Sequence, residues 1–340
     1  MLTRTLAFLL PILFPVFALN MPPLDLTKSS HTSDFTARKN HPTSYEQSPK
    51  FLGPLPLSKA VSTSENRVRI KNYFDHVKNV SIRPENPLSS NARTDVILKT
   101  IVNHFAYHDA PVDVKEMAES IEFYLRTRKR LLGAASKRHA KNIKNADSNL
   151  YHLHQDGRAG RMNVVVHDLC SGHGLTGMLF AACNPPSKDM SVSVILVDVA
   201  KPPAHQILYN LISDVCPWVK EDSLIEFQTR SLETVGQENI QVDKSNNIVL
   251  SIHACGSLTD LALEKACHKL NACALAVMPC CYTGTDKGMP YGMKRALGVA
   301  WCADIRRSIL LQENGYHTDF STIPSEITPL NRIIVAEDRS

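Results

Sequence analysis

The 340-residue sequence predicts an α/β fold built on a seven-stranded, largely parallel sheet with helices on both faces. Short apolar runs alternate with helix-length segments from Met162 onward, and a glycine turn directly follows the first run. The last two candidate strands are separated only by Ser321–Asn331, which is too short for a helical crossover. We therefore expect these two strands to form an antiparallel pair at the end of the sheet.

Composition indicates an ordinary globular protein with reduced thiols. The chain is 43% hydrophobic, which is enough for one substantial core, and its 38 Lys and Arg exceed its 33 Asp and Glu only slightly. Any argument for nucleic acid must therefore rest on where the charge lies. The nine cysteines form an odd set concentrated in the apolar second half of the chain. This distribution is unlike a small disulfide scaffold.

The N-terminal region predicts a targeting leader. Residues 1–20 carry an apolar run interrupted by Pro11 and Pro15, which resembles a signal peptide and is too short to span a membrane. Residues 21–66 are rich in Ser, Thr, Pro and basic residues, which predicts a transit-like or disordered leader. This pairing predicts entry into a plastid or mitochondrion and no stable membrane span in the mature protein. Translation from Met21 would instead give a cytoplasmic product.

Residues 67–150 predict a helical extension that precedes the α/β domain of residues 151–340. Thr94 is a plausible N-cap for a helix over Asp95–His108, and Pro111 can open a second helix over Val112–Leu132. The last part of this extension holds eight basic residues with no acid between Phe123 and Ala146: Arg126, Arg128, Lys129, Arg130, Lys137, Arg138, Lys141 and Lys144. They could pair with RNA phosphates, while the alternative is a solvated helix face or a linker.

Strands and helices alternate through the α/β domain. The predicted helices are Ala204–Val215, Thr259–Leu270 and Lys294–Glu313, and Gly315 ends the last of them. The predicted strands are Asn163–His167, Val192–Val197, Ile225–Gln228, Asn247–Ile252, Ala274–Met278, Tyr316–Phe320 and Arg332–Ala336. The first, second, fourth and fifth of these strands are largely runs of Val, Ile, Leu and Ala, as expected of strands covered on both faces.

The loop after the first strand is suited to a nucleoside cofactor. Gly172 and Gly174 let the backbone turn sharply and approach a ligand, and the helix beginning near Leu175 directs its free N–H groups at the same place. Together with Gly177 and with Asp198 after the next strand, the loop also fits a dinucleotide fingerprint. Asp168, just before the turn, and the C-terminal hairpin argue against a dinucleotide enzyme.

These features resemble the class I S-adenosylmethionine-dependent methyltransferases, whose Rossmann-like seven-stranded sheet ends in such a hairpin. The resemblance covers about Arg138 to Glu337. It implies that Asp198 takes the ribose hydroxyls of S-adenosylmethionine and that Glu233 meets the adenine. It further implies that the methionine part is held by the first loop, namely Asp168, Cys170, Ser171, Gly172, His173 and Gly174. Cys170 stands where the family usually has a glycine, so we expect its φ to stay below zero.

Two further segments are similar to a subgroup of these enzymes. His253-Ala-Cys255-Gly256 and Cys280-Cys281-Tyr282 follow neighbouring strands, and Lys137-Arg138-His139 precedes the first strand. This combination resembles the methyltransferase-like 25 proteins and the tRNA 2′-O-methyltransferases of the Trm-thirteen type, without the zinc-finger regions of the latter. The resemblance implies an RNA acceptor, tRNA or rRNA. The basic segment offers Arg126, Lys137 and Arg138 for its phosphates, and Tyr282 lies near the sheet edge where it could stack on a base. A small molecule, a protein, or a non-catalytic cofactor-binding module remain open.

His253 is placed to take a proton from the acceptor or to contact the cofactor. Cys280 or Cys281 could act as a covalent nucleophile. Alternatively, His253, Cys255, Cys280 and Cys281 could converge on zinc, although no standard finger spacing is present and we assign no metal ligand. The cysteines could also simply pack the turn as small apolar residues.

Overall fold

The computed structural model describes residues 87–145, 161–237, 246–285, 288–324, 327–328 and 330–339. The signal-like segment and the transit-like leader lie outside the described residues, so targeting to an organelle stays a prediction. None of the helices in the described part of the chain combines the length and the apolar character needed to cross a membrane.

Two helices precede an alternation of strands and helices. The helices are α1 (Thr94–Tyr107), α2 (Val114–Asn145), α3 (Leu175–Ala182), α4 (Pro203–Val215), α5 (Trp218–Glu221), α6 (Ser257–His268) and α7 (Tyr291–Glu313). The strands are β1 (Met162–Leu169), β2 (Met190–Asp198), β3 (Ile225–Thr229), β4 (Asn246–Ser251), β5 (Ala274–Val277), β6 (Tyr316–Thr322) and β7 (Arg332–Asp338).

The strands form one seven-stranded sheet in the order β3-β2-β1-β4-β5-β7-β6. The strands β1 to β5 pair in parallel, whereas β7 pairs antiparallel with both β5 and β6. The predicted Rossmann-like sheet and its closing hairpin are therefore confirmed. Because β1 lies between β2 and β4, the chain reverses direction across the sheet at β1, and ligands of open α/β sheets bind at the carboxyl ends of strands at such a point.

Helix α2 belongs to the α/β layers. Its apolar residues Met117, Ile121, Tyr124 and Leu131 recur at helical spacing and join one hydrophobic cluster with α1, α3 and the sheet. The predicted boundary near residue 150 is therefore not a boundary of packing: helices α1 and α2 share the core of the domain. This packing also carries the second helix thirteen residues past its predicted end at Leu132, to Asn145.

The first helix begins one residue earlier than predicted. Thr94 is its first helical residue, and Arg93 takes the extended conformation before it. The Thr94 hydroxyl accepts a hydrogen bond of 2.8 Å from the Arg128 guanidinium, so the side chain ties α1 to α2 instead of capping its own helix. Sequence spacing could not reveal this partner, because it lies 34 residues away.

Candidate functional site

A cavity of about 480 Å³ opens at the carboxyl ends of β1, β2 and β4. It combines carboxylates, imidazoles, backbone N–H groups and a few apolar side chains, as ligand cavities commonly do. Its lining residues are Glu116, Cys170, Ser171, Gly172, His173, Val197, Asp198, Val199, Arg230, Leu232, Glu233, His253, Cys255 and Leu258. The structure thus brings together seven residues predicted to meet the cofactor: Cys170, Ser171, Gly172, His173, Asp198, Glu233 and His253.

The glycines of the first loop serve two purposes. Gly172 has a φ of +56°, and a Cβ there would meet nothing within 4 Å, so the backbone leaves open space beside the cavity. At Gly174 and Gly177 a Cβ would lie 2.5 Å from the Leu196 side chain. These two glycines therefore let the loop and α3 pack closely on β2. Gly174, predicted as a cofactor contact, is not among the lining residues.

The backbone of Cys170 differs from the prediction. Its φ is +58°, in the left-handed region that is strained for a residue with a Cβ, so the expectation of a negative φ is wrong. A left-handed conformation costs a non-glycine residue about 1–2 kcal/mol. The loop therefore makes the turn that a glycine would make, with a thiol that burial keeps protonated by raising its pKa to about 12.

Asp168 lies beneath the loop and not in the cavity wall. Its side chain is buried, and its Oδ2 accepts a hydrogen bond of 3.0 Å from the Gly177 N–H in the first turn of α3. Burial raises the pKa of this carboxyl to about 7, although the Gly177 N–H opposes the shift. Asp168 thus joins the end of β1 to α3 and sets the position of the loop above it.

Asp198 is the acid that faces the cavity. It ends β2, is half-buried, and accepts a hydrogen bond of 2.8 Å from the Gly172 N–H through Oδ2. A carboxylate has two oxygens with several acceptor positions, so further acceptor capacity remains for vicinal hydroxyls. Its position at the end of the second strand is the one predicted for the ribose-binding acid.

The next wall is formed by the short turn after β3. Leu232 is buried in a 3₁₀ turn, Leu232–Thr234, and Glu233 is exposed beside it. Hydrogen bonds from its own backbone N–H and from Ser231 lower the pKa of Glu233, so its carboxylate is ionised. The turn supplies an apolar surface and an acceptor in the place predicted for the adenine.

Two acids from α2 lie against two imidazoles of the site. Leu175 N–H donates to His173 Nδ1, so Nε2 carries the ring proton and donates to Glu116 Oε2 at 3.1 Å. This hydrogen bond lowers the pKa of Glu116. Neither Glu116 nor its neighbour Glu119 is singled out by the sequence, because acids three residues apart on a helix are typical of a solvated face.

Glu119 is buried and points at the candidate base. Its Oε1 pairs with the Lys115 ammonium at 2.6 Å, while its Oε2 lies 3.7 Å from Nε2 of His253 and has no hydrogen-bond partner among the described residues. Burial lowers the pKa of His253, and the Glu119 carboxylate opposes this shift. The arrangement gives an imidazole at the cavity wall with a carboxylate behind it.

The Cys280-Cys281 segment after β5 lies against the Cys255 segment after β4. The thiols of Cys255, Cys280 and Cys281 all lie within 4.8 Å of one another, and only Cys255 also lines the cavity. His253 is not part of this thiol group. Burial raises the pKa of Cys280, which disfavours its nucleophilic thiolate form. A nucleophilic role of Cys280 or Cys281 stays a prediction.

Tyr282 occupies a structural position. Its hydroxyl donates to Asp304 Oδ2 at 2.7 Å, and its ring lies under the Arg307 and Arg332 guanidiniums at 5.6 and 5.9 Å. The protein's own arginines thus cover the ring that the sequence predicts to stack on the acceptor. This contact is a cation–π interaction that joins the Cys281–Tyr282 loop to the end of the sheet.

The basic residues of α2 divide into paired and exposed ones. Arg126 donates to the Thr322 carbonyl and pairs with Glu122, while Arg138 pairs with Asp338 at 3.3 Å. The contacts of Arg126 with Thr322 and of Arg138 with Asp338 attach α2 to the C-terminal strands. Lys137 is 79% exposed although it lies 3.3 Å from Glu337. Substrate contacts by all three stay predictions.

Residues 128–287 match the model of a family described as a methyltransferase domain. This segment is a methyltransferase domain. The sheet order, the glycine turn and Asp198 are those of the class I fold, and the cofactor is S-adenosylmethionine. A search of the curated proteins found no match.

Several solved structures are similar to the methyltransferase domain. A SAM-dependent methyltransferase from Aquifex aeolicus is 14% identical over 58% of this chain and 97% of its own, with a TM-score of 0.31. The Methanococcus jannaschii fibrillarin pre-rRNA processing protein is 11% identical over 53% of this chain and 68% of its own, with a TM-score of 0.34. The arsenic(III) S-adenosylmethionine methyltransferase of Chlamydomonas reinhardtii is 17% identical over 52% of this chain and 63% of its own, with a TM-score of 0.30.

The residues of the cavity fit the cofactor. Asp198 offers acceptor oxygens for the ribose, the open space at Gly172 admits the chain beside the ribose, and the turn at Leu232 offers an apolar surface for the base. The cofactor supplies an electrophilic methyl group on a sulfonium. Glu116 and Glu119 add negative charge next to the place where a cation would bind.

Proposed function

We propose that this methyltransferase domain methylates RNA, with its acceptor bound along α2 and in the cavity. The observation that carries the proposal is a row of exposed lysines on α2, namely Lys137, Lys141 and Lys144. Their spacing of four and three residues places them on one helix face. No other described residue pairs with Lys141 or Lys144, so both can neutralise phosphates.

The length of α2 favours an extended acceptor. The helix contributes Glu116 to the cavity near one end and Lys144 near the other, 28 residues further along. At a rise of 1.5 Å per residue this separation is about 42 Å. An acceptor that contacts both the cavity and the lysine row must therefore be tens of Å long, which a polynucleotide is and a metabolite is not.

The chain's contribution to transfer is orientation and proton removal. Holding the acceptor in line with the methyl group converts a bimolecular step into one within a complex, which can contribute about 7–11 kcal/mol to lowering the barrier. His253 stands at the cavity wall and takes the acceptor's proton as the new bond to carbon forms. The Glu119 carboxylate, 3.7 Å from His253 Nε2, stabilises the resulting imidazolium.

We assign the domain, on the same footing, to the subgroup resembling the methyltransferase-like 25 proteins and the Trm-thirteen tRNA enzymes. The support is the meeting of the His253-Ala-Cys255-Gly256 and Cys280-Cys281 segments beside the cavity. Within that subgroup the nucleophile would be a hydroxyl, which matches an imidazole base at the cavity wall.

A second candidate is a small-molecule or protein acceptor. The internal pairing of Arg126, Arg130 and Arg138 favours it, because these three cations are already held by the C-terminal strands and the Asn271 loop. They leave a smaller positive surface than the run of eight basic residues in the sequence suggests.

Transfer of a labelled methyl group from S-adenosylmethionine to total RNA tests the proposal. We expect incorporation that is lost in Asp198→Asn, and RNA binding that weakens when Lys137, Lys141 and Lys144 are all changed to Ala. The slope of log affinity against log salt should fall in magnitude by about 2–3 in this triple variant. The matched control changes Lys99, Lys188 and Lys220 to Ala, which are exposed lysines on other elements.

Equal RNA binding by the two triple variants would exclude the lysine row as the RNA site. No incorporation into RNA by a protein that still binds the cofactor would exclude the RNA proposal and favour the second candidate. Failure to transfer a methyl group to any acceptor class would identify a non-catalytic cofactor-binding module.

A further inference from the structure

Three thiols meet at the rim of the cofactor cavity. Cys255 follows β4, and Cys280 and Cys281 follow β5, so the adjacent parallel strands β4 and β5 deliver all three to one edge of the sheet. Their sulfur atoms lie within 4.8 Å of one another, and those of Cys255 and Cys280 are 2.8 Å apart. No other group of three or more His, Cys, Asp or Glu side chains in the described residues is this close together.

The two loops that carry the thiols are locked to each other. The Gly256 N–H donates to the Cys281 carbonyl at 3.4 Å, and Gly256 has a φ of +57°. A Cβ at Gly256 would collide with the Thr283 carbonyl oxygen, so the loops approach as closely as backbone allows. The sulfur positions are therefore fixed by backbone contacts and not by the thiols alone.

A buried ion network supports the same loops from behind. Arg307 is fully buried, donates to the Gly256 carbonyl at 3.0 Å, and pairs with Asp260 at 2.8 Å and Asp304 at 3.3 Å. Asp304 in turn accepts from the Tyr282 hydroxyl at 2.7 Å. Supporting shells of this kind hold the ligands of protein metal sites in place.

We propose that Cys255, Cys280 and Cys281 bind one zinc ion, with a fourth coordination position left open at the rim of the cofactor cavity. Three soft thiols select zinc among the abundant divalent metals, and a zinc site with three protein ligands keeps one position for water or substrate. The open position lies at the rim because Cys255 belongs to the thiol group and also lines the cavity. This inference does not depend on which acceptor the domain methylates.

Zinc binding requires that the thiols give up their protons. Each bound thiolate releases one proton to solvent, so three thiols and one zinc ion form a site of net charge −1.

Titration of the full-length, chelator-treated and reduced protein with Co²⁺, a spectroscopic substitute for zinc, tests the proposal. We expect one ion per chain, a near-ultraviolet thiolate-to-cobalt charge-transfer band, and displacement of the cobalt by Zn²⁺. Cys255→Ser, Cys280→Ser and Cys281→Ser should each weaken binding by more than about 100-fold, which is the upper range for loss of a mere outer hydrogen-bond partner. The control is Cys267→Ser, a half-buried thiol on α6, which should bind as the wild type does.

The wild-type titration is decisive even where a variant folds poorly. Absence of the charge-transfer band, or a band that survives in Cys280→Ser, would overturn the proposal. Counting free thiols in the denatured, unreduced protein and mapping any bridge by peptide analysis gives the other decisive outcome: seven reactive thiols out of nine with Cys255 bridged to Cys280 would show a disulfide in place of a metal site.

Discussion

Cys170 holds a strained backbone conformation in the loop that carries the cofactor site. Its φ of +58° is one that glycine adopts without cost, and the following residues Ser171 and Gly172 line the cavity. Strain of this kind persists only where the surrounding structure imposes it. Here the Ser171 N–H donates to the Val197 carbonyl at 3.0 Å, which fixes the loop against β2.

Replacing Cys170 by Gly and by Ala separates this strain from the loss of the thiol. Both variants remove the sulfur, but only Gly relieves the left-handed conformation. We expect Cys170→Gly to have a free energy of unfolding about 1 kcal/mol greater than that of Cys170→Ala, measured by urea denaturation. Equal stability of the two variants would show that the strain is no larger than the backbone entropy that glycine adds to the unfolded chain, about 0.4–1 kcal/mol.

The raised pKa of Asp168 predicts that the free energy of unfolding depends on pH. Its pKa is raised to about 7 in the folded protein, against 3.8 without burial, so between these values unfolding releases a proton. The free energy of unfolding then falls as pH rises through this window, by at most about 1.4 kcal/mol per pH unit from this group. Asp168→Asn keeps an acceptor for the Gly177 N–H and removes the titration.

Urea denaturation of the wild type and Asp168→Asn at pH 5, 6, 7 and 8 measures this effect. We expect Asp168→Asn to gain stability relative to the wild type as pH rises from 5 to 7, and the difference to level off above that. Asp189→Asn, at an exposed position just before β2, is the control and should track the wild type. A constant difference between Asp168→Asn and the wild type across the series would contradict the raised pKa.

The loops after β4 and β5 approach each other as closely as their backbones allow. Gly256 and Gly284 both have positive φ, of +57° and +75°. A Cβ would collide with Thr283 at Gly256 and would meet nothing within 4 Å at Gly284. We therefore expect Gly256→Ala to lower the free energy of unfolding by more than Gly284→Ala does, by about 1–3 kcal/mol beyond the conformational strain that the two share.

Thermal and urea unfolding of these two variants give the comparison directly. Both variants place a Cβ on a backbone of positive φ, and Gly256→Ala adds the steric contact of the two loops and a ψ of −121° that lies outside the left-handed helical region. Equal destabilisation would mean that the loops can move apart at no cost, and the thiol group would then be loosely held as well.

The strands could be predicted from sequence because each is a local apolar run, and the short Ser321–Asn331 connection predicts the antiparallel pair. The contribution of the α2 acids to the site could not be predicted from the sequence. Glu119 faces His253 only because α2 packs against the sheet, a contact between residues more than a hundred positions apart. The positive φ of Cys170 could not be predicted for a different reason. A residue with a Cβ favours a negative φ, and here the surrounding backbone imposes the left-handed conformation.

For the cofactor site, the sequence predicts the acids at strand ends and the turn between them, and the structure places most of these in one cavity. Asp168 and Gly174 are the exceptions: successive residues of a strand face opposite sides of the sheet, so Asp168 faces the packed layer, and Gly174 packs against Leu196. The arginine partners of Tyr282 could not be predicted because they come from α7 and β7, far along the chain, and stacking of Tyr282 on the acceptor stays a prediction.

At the scale of the whole molecule, α1 and α2 are part of the core. Ile121, Phe123 and Tyr124 of α2 are each at most 1% exposed and belong to the cluster that includes the sheet. Loss of one large core side chain costs about 3–5 kcal/mol, and a domain is stable by only about 5–15 kcal/mol. We therefore expect a fragment of residues 146–340 not to fold and a fragment of residues 87–340 to fold.

Cooperative thermal unfolding and binding of S-adenosylhomocysteine distinguish the two fragments. Residues 87–340 should show both, whereas residues 146–340 should show neither, although the latter keeps every strand and the glycine turn. A cooperative transition in the shorter fragment would show that the helical extension is a separate domain after all.

The placement of β7 has a consequence for the order of events during synthesis. This strand pairs with β5 on one side and β6 on the other, yet it is translated after both. Until residues 332–338 leave the ribosome, β5 presents an unpaired edge next to the loop that carries Cys280 and Cys281. During this interval the edge of β5 can pair with a foreign strand, and a chain without residues 332–338 would keep that edge unpaired.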